Sequence, residues 1–476
     1  MMNDTFMQVT NPRYRPHFHV TAPAGWINDP NGFVYFKGYY HIFYQYHPYS
    51  AEWGPMHWGH ARSLDLVHWE SLPIALTPEK PIAKNGIFSG SAIVKDDKLY
   101  LMYTGHHFGE SGHDDDFYED QNIAISEDGI HFKKYENNPV ISMPPSDNTA
   151  NFRDPKVWQQ GDMYYVILGG QTKAEKVGRV LLYASKDLLN WTYEGAIAQA
   201  DTAYQEGYMW ECPDIFSLEG QDVLLMSPQG IQPNHEKYLN LHQTGYMIGK
   251  LDVDTAQFER NAFVEIDHGH DFYASQTMLA PDGRRLMFGW MAMWESIMPE
   301  QADGWAGALT FPRELTIKDN HIYMNPVAEL DQLRINGSKK AVPFTPNATE
   351  QLVLSEADSH EVQLQLKTDE DYTLKFMAEN DAVLTLHYDH QANKLTIARS
   401  DRPDQRVGYV KSAAVMTLQL LIDRSSVEFF INDGETVFTE RYYSEIHPNV
   451  VLDKINFADV QATTYELEKN TVKYKK

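Results

Sequence analysis

The chain has 476 residues, enough for one large repeat domain with a second domain, or for two to four smaller domains. With 66 acidic and 40 basic residues its net charge is −26, which argues against nucleic acid or an anionic membrane as a partner. Cys212 is the single cysteine, so no intramolecular disulfide can form. Residues 1–20 lack the apolar run of a signal peptide, and no stretch approaches the length of a membrane span. We therefore expect a cytoplasmic protein.

Five segments have the pattern of a tight β-hairpin, with apolar or aromatic arms around a short polar turn. The turns lie at Lys37-Gly38, Asp96-Asp97, Gln160-Gly161, Glu219-Gly220 and Asp282-Gly283. Successive turns are 59, 64, 59 and 63 residues apart. This spacing indicates a repeat of about sixty residues with roughly four strands in each copy.

A shorter motif follows most of the hairpins, in which an aspartate precedes an aromatic residue by four positions. The aspartates are Asp65, Asp128, Asp187 and Asp254. Turn residues beside a buried aromatic suit the connection between the outer strands of a repeated unit. The two repeats together predict a five-bladed β-propeller, because an array of β-sandwiches would not repeat its turn chemistry so regularly.

The residues just before each hairpin should converge at one end of the propeller, since the first strand of every blade lines the central channel. These five strand heads are Asn28-Asp29-Pro30, Phe88-Ser89-Gly90, Arg153-Asp154-Pro155, Trp210-Glu211-Cys212-Pro213 and Asp271-Phe272-Tyr273. Four of the five carry a carboxylate. Gathering like charges costs electrostatic energy, which proteins tolerate mainly where function needs it. The heads therefore predict an acidic functional site at the channel mouth.

Asp29 lies in the segment Trp26–Gly32, between an asparagine and a proline. Pro30 restricts Asp29 to extended geometry, and Asn31-Gly32 is a pair typical of turns. We therefore expect the Asp29 carboxylate at a rigid corner, followed by a strand from Phe33.

Clustered carboxylates indicate either a cation site or acid–base and nucleophilic chemistry. A metal site is disfavoured because the histidines stand in no standard ligand spacing. Those histidines are His17, His19, His57, His60, His106, His107, His268 and His270. Glycoside hydrolysis, in contrast, requires two carboxyl groups and no metal or cofactor. Groups suited to stacking on a sugar or binding its hydroxyls are Trp26, Gln45, Trp53, Arg153 and Tyr273.

Four of these motifs resemble, in order, the signatures of the family 32 glycoside hydrolases, which comprise invertases, β-fructosidases and sucrose-6-phosphate hydrolases. They are Trp26–Gly32, Phe88-Ser89-Gly90-Ser91, Arg153-Asp154-Pro155 and Glu211-Cys212-Pro213-Asp214, with Arg15–His19 as a similar lead-in. The resemblance covers essentially the whole chain. It implies an all-β protein, with an N-terminal five-bladed β-propeller followed by a C-terminal β-sandwich.

The resemblance also implies roles for individual residues. Asp29 would be the nucleophile, Glu211 the general acid and later the base, and Asp154 a stabiliser of the transition state. This implies retention of configuration through a covalent fructosyl-enzyme. Asp29 must be ionised while Glu211 holds a proton, which predicts a bell-shaped pH profile. The residues implied to bind the sugar are Trp26, Asn28, Gln45, Trp53, Phe88, Ser89, Arg153, Asp271, Tyr273 and Trp294.

From about residue 335 the sequence changes to short alternating runs separated by polar turns, which predicts an antiparallel β-sandwich. We expect the propeller to span residues 1–330, a linker 331–340 and the sandwich 341–476. The segment Asp423–Phe430 resembles a strand signature of the family's C-terminal domain. The sandwich is either a stabilising or oligomerising module or a lectin-like sugar binder.

Other functions compete with a retaining β-fructofuranosidase. The Trp26–Gly32 and Glu211-Cys212 motifs argue against an inverting furanosidase related to arabinanases. A non-catalytic sugar-binding protein would lack one catalytic acid, and none is missing. Fructosyl transfer uses the same acids. Sucrose, sucrose 6-phosphate and short fructo-oligosaccharides all present the same fructosyl group, so the sequence leaves the natural substrate open. It also leaves the oligomeric state open, a homo-oligomer included.

Overall fold

The computed structural model describes residues 5–474, except residues 80–82, 112, 114–115, 337, 342–350, 357 and 455–459. The described residues form seven β-sheets, with one short α-helix (Ala203–Glu206) and two 3-10 helices (Pro299–Asp303 and Ala328–Leu333). None of the helices in the described part of the chain is long and apolar enough to cross a membrane.

Five of the sheets follow the sixty-residue repeat. The first contains β1 (Gly25–Phe36), β2 (Tyr39–His47), β3 (His57–Ser63) and β4 (Trp69–Leu76). The second contains β5 (Gly86–Lys95), β6 (Lys98–Phe108), β7 (Phe117–Ser126) and β8 (Lys133–Lys134). The third contains β9 (Asn148–Gln160), β10 (Met163–Thr172), β11 (Gly178–Ser185) and β12 (Thr192–Gln199).

The fourth sheet contains β13 (Met209–Leu218), β14 (Gln221–Gln229), β15 (Gly245–Asp252), β16 (Gln257–Arg260) and β17 (Val264–Glu265). The next strands along the chain are β18 (Tyr273–Leu279), β19 (Arg285–Trp290), β20 (Trp305–Ala306), β21 (Arg313–Lys318) and β22 (His321–Pro326). Of these, β20 joins the first sheet beside β1, and the other four form the fifth sheet. The innermost strands β1, β5, β9, β13 and β18 contact one another in a closed ring, which confirms the five-bladed propeller.

The predicted hairpin turns are confirmed. Phe36 pairs with Tyr39 across the first turn, and Lys95 pairs with Lys98 across the second. Asp96 and Asp97 both have positive φ, at 51° and 57°. Two central residues of this kind match the right-handed twist of the flanking strands.

The outer turns of the blades depend on an aspartate that caps the backbone. Asp65, Asp128 and Asp187 each accept hydrogen bonds from the N–H groups two and three positions later, at 2.8–3.1 Å. In the fourth blade this role belongs to Asp252. The prediction of Asp254 as the fourth equivalent was therefore wrong, because this turn begins two residues earlier.

The predicted β-sandwich is confirmed, with two six-stranded antiparallel sheets. Its strands are β23 (Lys340–Ala341), β24 (Gln351–Ser355), β25 (His360–Lys367), β26 (Tyr372–Ala378), β27 (Asp381–Asp389), β28 (Lys394–Arg399), β29 (Gln405–Tyr409), β30 (Val415–Asp423), β31 (Ser426–Ile431), β32 (Thr436–Arg441), β33 (Asn449–Lys454) and β34 (Gln461–Glu466). The sheet orders are β23-β34-β25-β30-β31-β32 and β24-β33-β26-β27-β28-β29. Alternate residues such as Leu364, Phe376 and Phe429 point between the sheets and form the core.

The sandwich is joined to the propeller in two ways. A last short strand, β35 (Val472–Lys473), leaves the sandwich and pairs in parallel with β4 of the first blade. A network of buried charges lies between the domains, and its centre is Arg313, which donates to Asp267 at 2.9 Å and to Glu428 at 3.1 Å. Residue 337 of the expected linker and residues 342–350 of the expected sandwich lie outside the described residues.

Candidate active site

Four of the five strand heads lie inside the innermost strands, at β-bulges, and not before them. Of the fifth head only Tyr273 is in its strand, because β18 begins at that residue. Strand β1 begins at Gly25, so Asp29 is part of the strand, and the expectation of a corner followed by a strand from Phe33 was wrong. The register with β2 shifts between Ile27 and Pro30. The other four innermost strands have similar shifts beside their heads. A bulge re-aims the side chain beside it, and here the bulges turn three acids towards the channel.

The three acids Asp29, Asp154 and Glu211, each from a different blade, line one cavity of about 380 Å³. Seven of the residues implied to bind the sugar line the same cavity: Asn28, Gln45, Trp53, Phe88, Ser89, Arg153 and Trp294. Two aromatic residues form part of its wall, since the Phe88 and Trp53 rings meet edge to face with centroids 6.2 Å apart. Trp53 remains 43% exposed at the rim.

Both oxygens of Asp29 are held by hydrogen bonds. Ser89 Oγ donates to Oδ2 at 2.6 Å, and Asn28 Nδ2 donates to Oδ1 at 3.1 Å. Asn28 is itself fixed, because Trp26 Nε1 donates to its Oδ1 at 2.8 Å. Burial and the nearby charge of Glu211 nevertheless raise the pKa of Asp29 to about 6. The carboxylate is therefore held in one orientation, while its ionised form is less stable than that of an exposed aspartate.

Glu211 faces Asp29 across the cavity and has two strong donors. Tyr273 Oη donates to its Oε2 at 2.6 Å, while the Arg153 guanidinium donates twice to its Oε1, at 2.8 and 3.1 Å. Arg153 and Tyr273 together hold both oxygens of this carboxyl group. The two oxygens of Glu211 are therefore oriented by neighbours from the third and fifth blades.

Asp154 is the most deeply buried of the three acids. Its Oδ2 accepts the backbone N–H of Cys212 at 2.9 Å, and its own N–H donates to Thr104 Oγ1 at 3.0 Å. Burial raises the pKa of Asp154, and the charges of Glu211 and Asp29 raise it further, against the opposing effect of Arg153. The Cys212 thiol lies 3.5 Å from Asp29 Oδ2, and burial raises the pKa of this thiol well above its ordinary value. Cys212 therefore contacts two acids, Asp29 through its neutral thiol and Asp154 through its backbone N–H.

Three residues implied to bind the sugar do not line the cavity. Trp26 and Tyr273 lie directly behind it and orient Asn28 and Glu211. Asp271 points instead into the domain interface, where its Oδ2 accepts from Arg399 Nη1 and from the Arg441 backbone N–H, both at 2.7 Å. The expectation that Asp271 contacts the sugar does not fit this placement, because the carboxylate is already bound by the sandwich.

The sequence reasoning missed four residues that line the cavity, namely His106, Phe117, Glu119 and Asn151. His106 stacks on Phe88 with ring centroids 4.3 Å apart. Glu119 is fully buried, accepts the Phe152 N–H at 2.8 Å and lies 3.4 Å from Arg153 Nη1. A usable signal was present, since residues 119–122 are four polar residues in a strand that becomes apolar at Ile123.

The comparisons with known proteins agree with this geometry. Residues 19–326 match the model of the glycosyl hydrolases family 32 N-terminal domain, and residues 329–473 match that of the family 32 C-terminal domain. Sucrose-6-phosphate hydrolase of Escherichia coli is 41% identical over 439 residues, which cover 91% of this chain and 90% of that protein.

Solved structures extend the comparison to the fold. The Bombyx mori GH32 β-fructofuranosidase, solved also as a mutant in complex with sucrose, is 40% identical, with a TM-score of 0.88 over 97% of this chain and 96% of that one. Sucrose-6-phosphate hydrolase from Lactobacillus gasseri is 29% identical, with a TM-score of 0.88 over 97% of this chain and 95% of that one. The chain therefore belongs to glycosyl hydrolase family 32.

Proposed function

We propose that this glycosidase is a retaining β-fructofuranosidase that cleaves sucrose 6-phosphate, sucrose or both. The observation that carries the proposal is the convergence of Asp29, Asp154 and Glu211, from three blades, on one cavity of about 380 Å³. That cavity also offers aromatic faces and amide, hydroxyl and guanidinium groups, which suit a sugar ring and its hydroxyls. Relatives named sucrose-6-phosphate hydrolase and β-fructofuranosidase support the same substrate class.

The reaction proceeds in two displacements. Asp29 attacks the anomeric carbon of the fructosyl group, a carboxylate ester forms, and the bond to the glycosidic oxygen breaks as Glu211 transfers its proton to that oxygen. Glu211, now ionised, takes a proton from a water molecule, which attacks the same carbon and releases Asp29. Asp154 accepts hydrogen bonds from fructosyl hydroxyls and stabilises the positive charge that develops on the ring.

The contacts of the acids support these roles. Ser89 and Asn28 hold the Asp29 carboxylate in one orientation, which is what an attacking group needs. The pKa of Asp29, raised by burial and by Glu211 to about 6, means that the nucleophile protonates as the pH falls through this value. We therefore expect the acidic limb of kcat/KM near pH 6.

A phosphorylated disaccharide arises when sugar uptake is coupled to phosphorylation, so a cytoplasmic location accompanies the sucrose 6-phosphate form of this proposal. The test is kcat/KM on sucrose 6-phosphate and on sucrose, with Asp29→Ala as the control. A preference for the phosphorylated sugar above about tenfold, or 1.4 kcal/mol, indicates a dedicated phosphate contact. Similar rates, or faster cleavage of sucrose or a short fructo-oligosaccharide, indicate a general β-fructosidase. Cleavage of none of these, or full activity in Asp29→Ala, would refute the proposal.

A further inference from the structure

A second cavity, of about 740 Å³, opens at the opposite end of the propeller channel. The second halves of all five innermost strands contribute to its wall. Residues that line it include Tyr35, Val94, Lys156, Trp158, Leu279 and Arg285. Its volume is larger than that of the catalytic cavity, and the two cavities share no lining residue.

Hydrogen bonds across the channel separate the two cavities. Gln276 Nε2 donates to the Gly90 carbonyl at 2.8 Å, and the Phe33 N–H donates to Gln276 Oε1 at 3.1 Å. Below this layer, Lys156 Nζ from the third blade lies 2.9 Å from Asp214 Oδ2 of the fourth. A molecule in the second cavity therefore does not compete with a sugar in the first.

The charge of the second cavity is opposite to that of the protein as a whole. The chain carries a net charge of −26, yet this wall presents Lys156, Lys250 and Arg285 against the single carboxylate of Asp222. Lys156 is neutralised by Asp214, and Lys250 lies 3.3 Å from Asp222. Asp214 and Asp222 therefore balance the two lysines, and the positive charge of Arg285 is not balanced by either carboxylate.

Arg285 is half-buried in the cavity wall, and its guanidinium lacks a directly bound carboxylate among the described residues. Its Nε is buried and has no hydrogen-bond partner among the described residues, and within that set no carboxylate lies within 4.0 Å of it. Nη1 makes one long contact of 3.4 Å with Thr277 Oγ1, and the guanidinium lies 4.6 Å over the Phe216 ring. Burial lowers the pKa of Arg285, against the opposing charge of Asp214, which lies beyond ion-pair distance.

We infer that this second cavity binds a small molecule bearing an oxyanion, a phosphate or carboxylate group, through Arg285. The guanidinium presents a planar fork that matches the oxygens of either group. A negative charge bound here would pair with the positive charge of Arg285, which no carboxylate of the described residues contacts directly. The cavity volume leaves room for a body attached to the anionic group, beside Tyr35 and Trp158.

Leu279 allows a test that leaves the buried residues untouched. It lines the cavity, is 60% exposed, and pairs directly with Arg285 across β18 and β19. Residues directly opposite in an antiparallel pair have Cβ atoms about 5 Å apart, so a carboxylate at position 279 reaches the guanidinium. The carboxylate introduced by L279E should therefore form an ion pair with Arg285 and repel an anionic ligand. L279Q is the uncharged control.

The experiment is calorimetric titration of the full chain with inorganic phosphate and, separately, with citrate. We expect one site per chain for at least one of the two anions, with affinity reduced at least tenfold in L279E and R285Q and unchanged in L279Q. Binding should persist in saturating fructose, and kcat/KM on sucrose should be unchanged in L279E. Binding by phosphate alone or citrate alone identifies the group that Arg285 prefers. Absence of binding by both anions, or equal binding by L279E and the wild type, overturns the inference.

Discussion

The catalytic cavity and the interface between propeller and sandwich both bury several carboxylates, with opposite consequences. In the cavity, burial and the neighbouring acid raise the pKa of Asp29. At the interface, burial also acts to raise the pKa of Asp423 and Glu428, but both pKa values are lowered. His19 outweighs burial at Asp423, and Arg313 and His19 outweigh it at Glu428. Burial thus accompanies a reactive group in the cavity and a stable ion pair at Asp423 and Glu428.

The difference lies in the neighbours. Each interface carboxylate has a cation in hydrogen-bonding contact, and His19 lies between two of them, with its ring nitrogens 2.7 Å from Asp423 and 2.7 Å from Glu428. The four acids that line the cavity, Glu119 included, have the single guanidinium of Arg153 among them. A site with more buried carboxylates than cations is therefore a candidate catalytic site, whereas buried carboxylates that each contact a cation indicate a structural role.

Asp29→Asn should separate the two regions most strongly. We expect kcat to fall by about 10³-fold or more, because the nucleophile is lost. The free energy of unfolding should instead increase. Asp29 has an ordinary pKa of 3.8 and a folded pKa of about 6, so the folded state binds more protons and loses stability as the pH rises between these values. Above pH 6 the variant should gain about 3 kcal/mol, seen as a higher Tm.

The matched control for this substitution is Asp97→Asn, at an exposed hairpin turn. It should change neither kcat nor Tm appreciably. A lower Tm for Asp29→Asn at pH 7.5 would contradict the view that the cavity acids oppose folding.

Arg313→Met removes the central cation of the interface. Asp267 and Glu428 would remain buried without their partner, and breaking a buried pair in this way costs about 3–5 kcal/mol. Urea unfolding measures this loss, while kcat of the folded protein should be retained. The control is Lys98→Met, which removes an exposed contact with Glu127 and should cost less than about 1 kcal/mol. Equal losses in the two variants would contradict the view that the buried interface cation contributes more to stability than an exposed ion pair.

His19 should give the interface a pH dependence. Burial lowers its pKa, but the hydrogen bonds to Asp423 and Glu428 prevail and raise it from 6.5 to about 9. The stability that this imidazolium contributes is complete below pH 6.5 and is lost as the pH rises through about 9, on the order of 3 kcal/mol in total. Urea unfolding between pH 6.5 and 9.5 measures the slope. His19→Gln should flatten it, and an unchanged slope in that variant would assign it to other groups.

Tyr273→Phe should have the smallest effect. Tyr273 lies behind the cavity and donates to Glu211 at 2.6 Å, so the loss is one hydrogen bond to a charged group, about 1.5 kcal/mol or tenfold in kcat. KM should change little, since the hydroxyl does not line the cavity. Tyr246→Phe is the control, because its hydroxyl contacts His321 away from the acids. A rise in KM without a fall in kcat would place Tyr273 in contact with substrate instead.

Local signals in the sequence were enough to predict the repeat and the two domains. Turn pairs such as Asp96-Asp97 and the alternating runs of the sandwich depend on neighbours within a few residues. The bulges were not predictable in this way, because a register shift is a property of two strands, and the strand around Asp29 therefore began earlier than expected.

Site residues in the innermost strands were predictable from the hairpin spacing, while Gln45, Trp53 and Trp294, outside those strands, were implied by the family resemblance. Asp271 looked like the other strand heads, but its partner Arg399 is 128 residues away in the other domain. Glu119 comes from the third strand of its blade, for which the hairpin spacing makes no prediction. The unpartnered Arg285 is likewise visible only once the surrounding carboxylates have been located in space.

The pairing of β35 with β4 has a consequence for biosynthesis. The sheet that carries Asp29 receives its outermost strand from residues 472–473, about 400 positions downstream of β4. Trp69 N–H donates to the Thr471 carbonyl at 2.9 Å, and Thr471 N–H donates to the His17 carbonyl at 3.0 Å. During translation the first blade is made before the other four. The outer edge of its sheet nevertheless lacks β35 until both domains have left the ribosome. The blade with the attacking carboxylate is thus the first to be synthesised and the last to be completed.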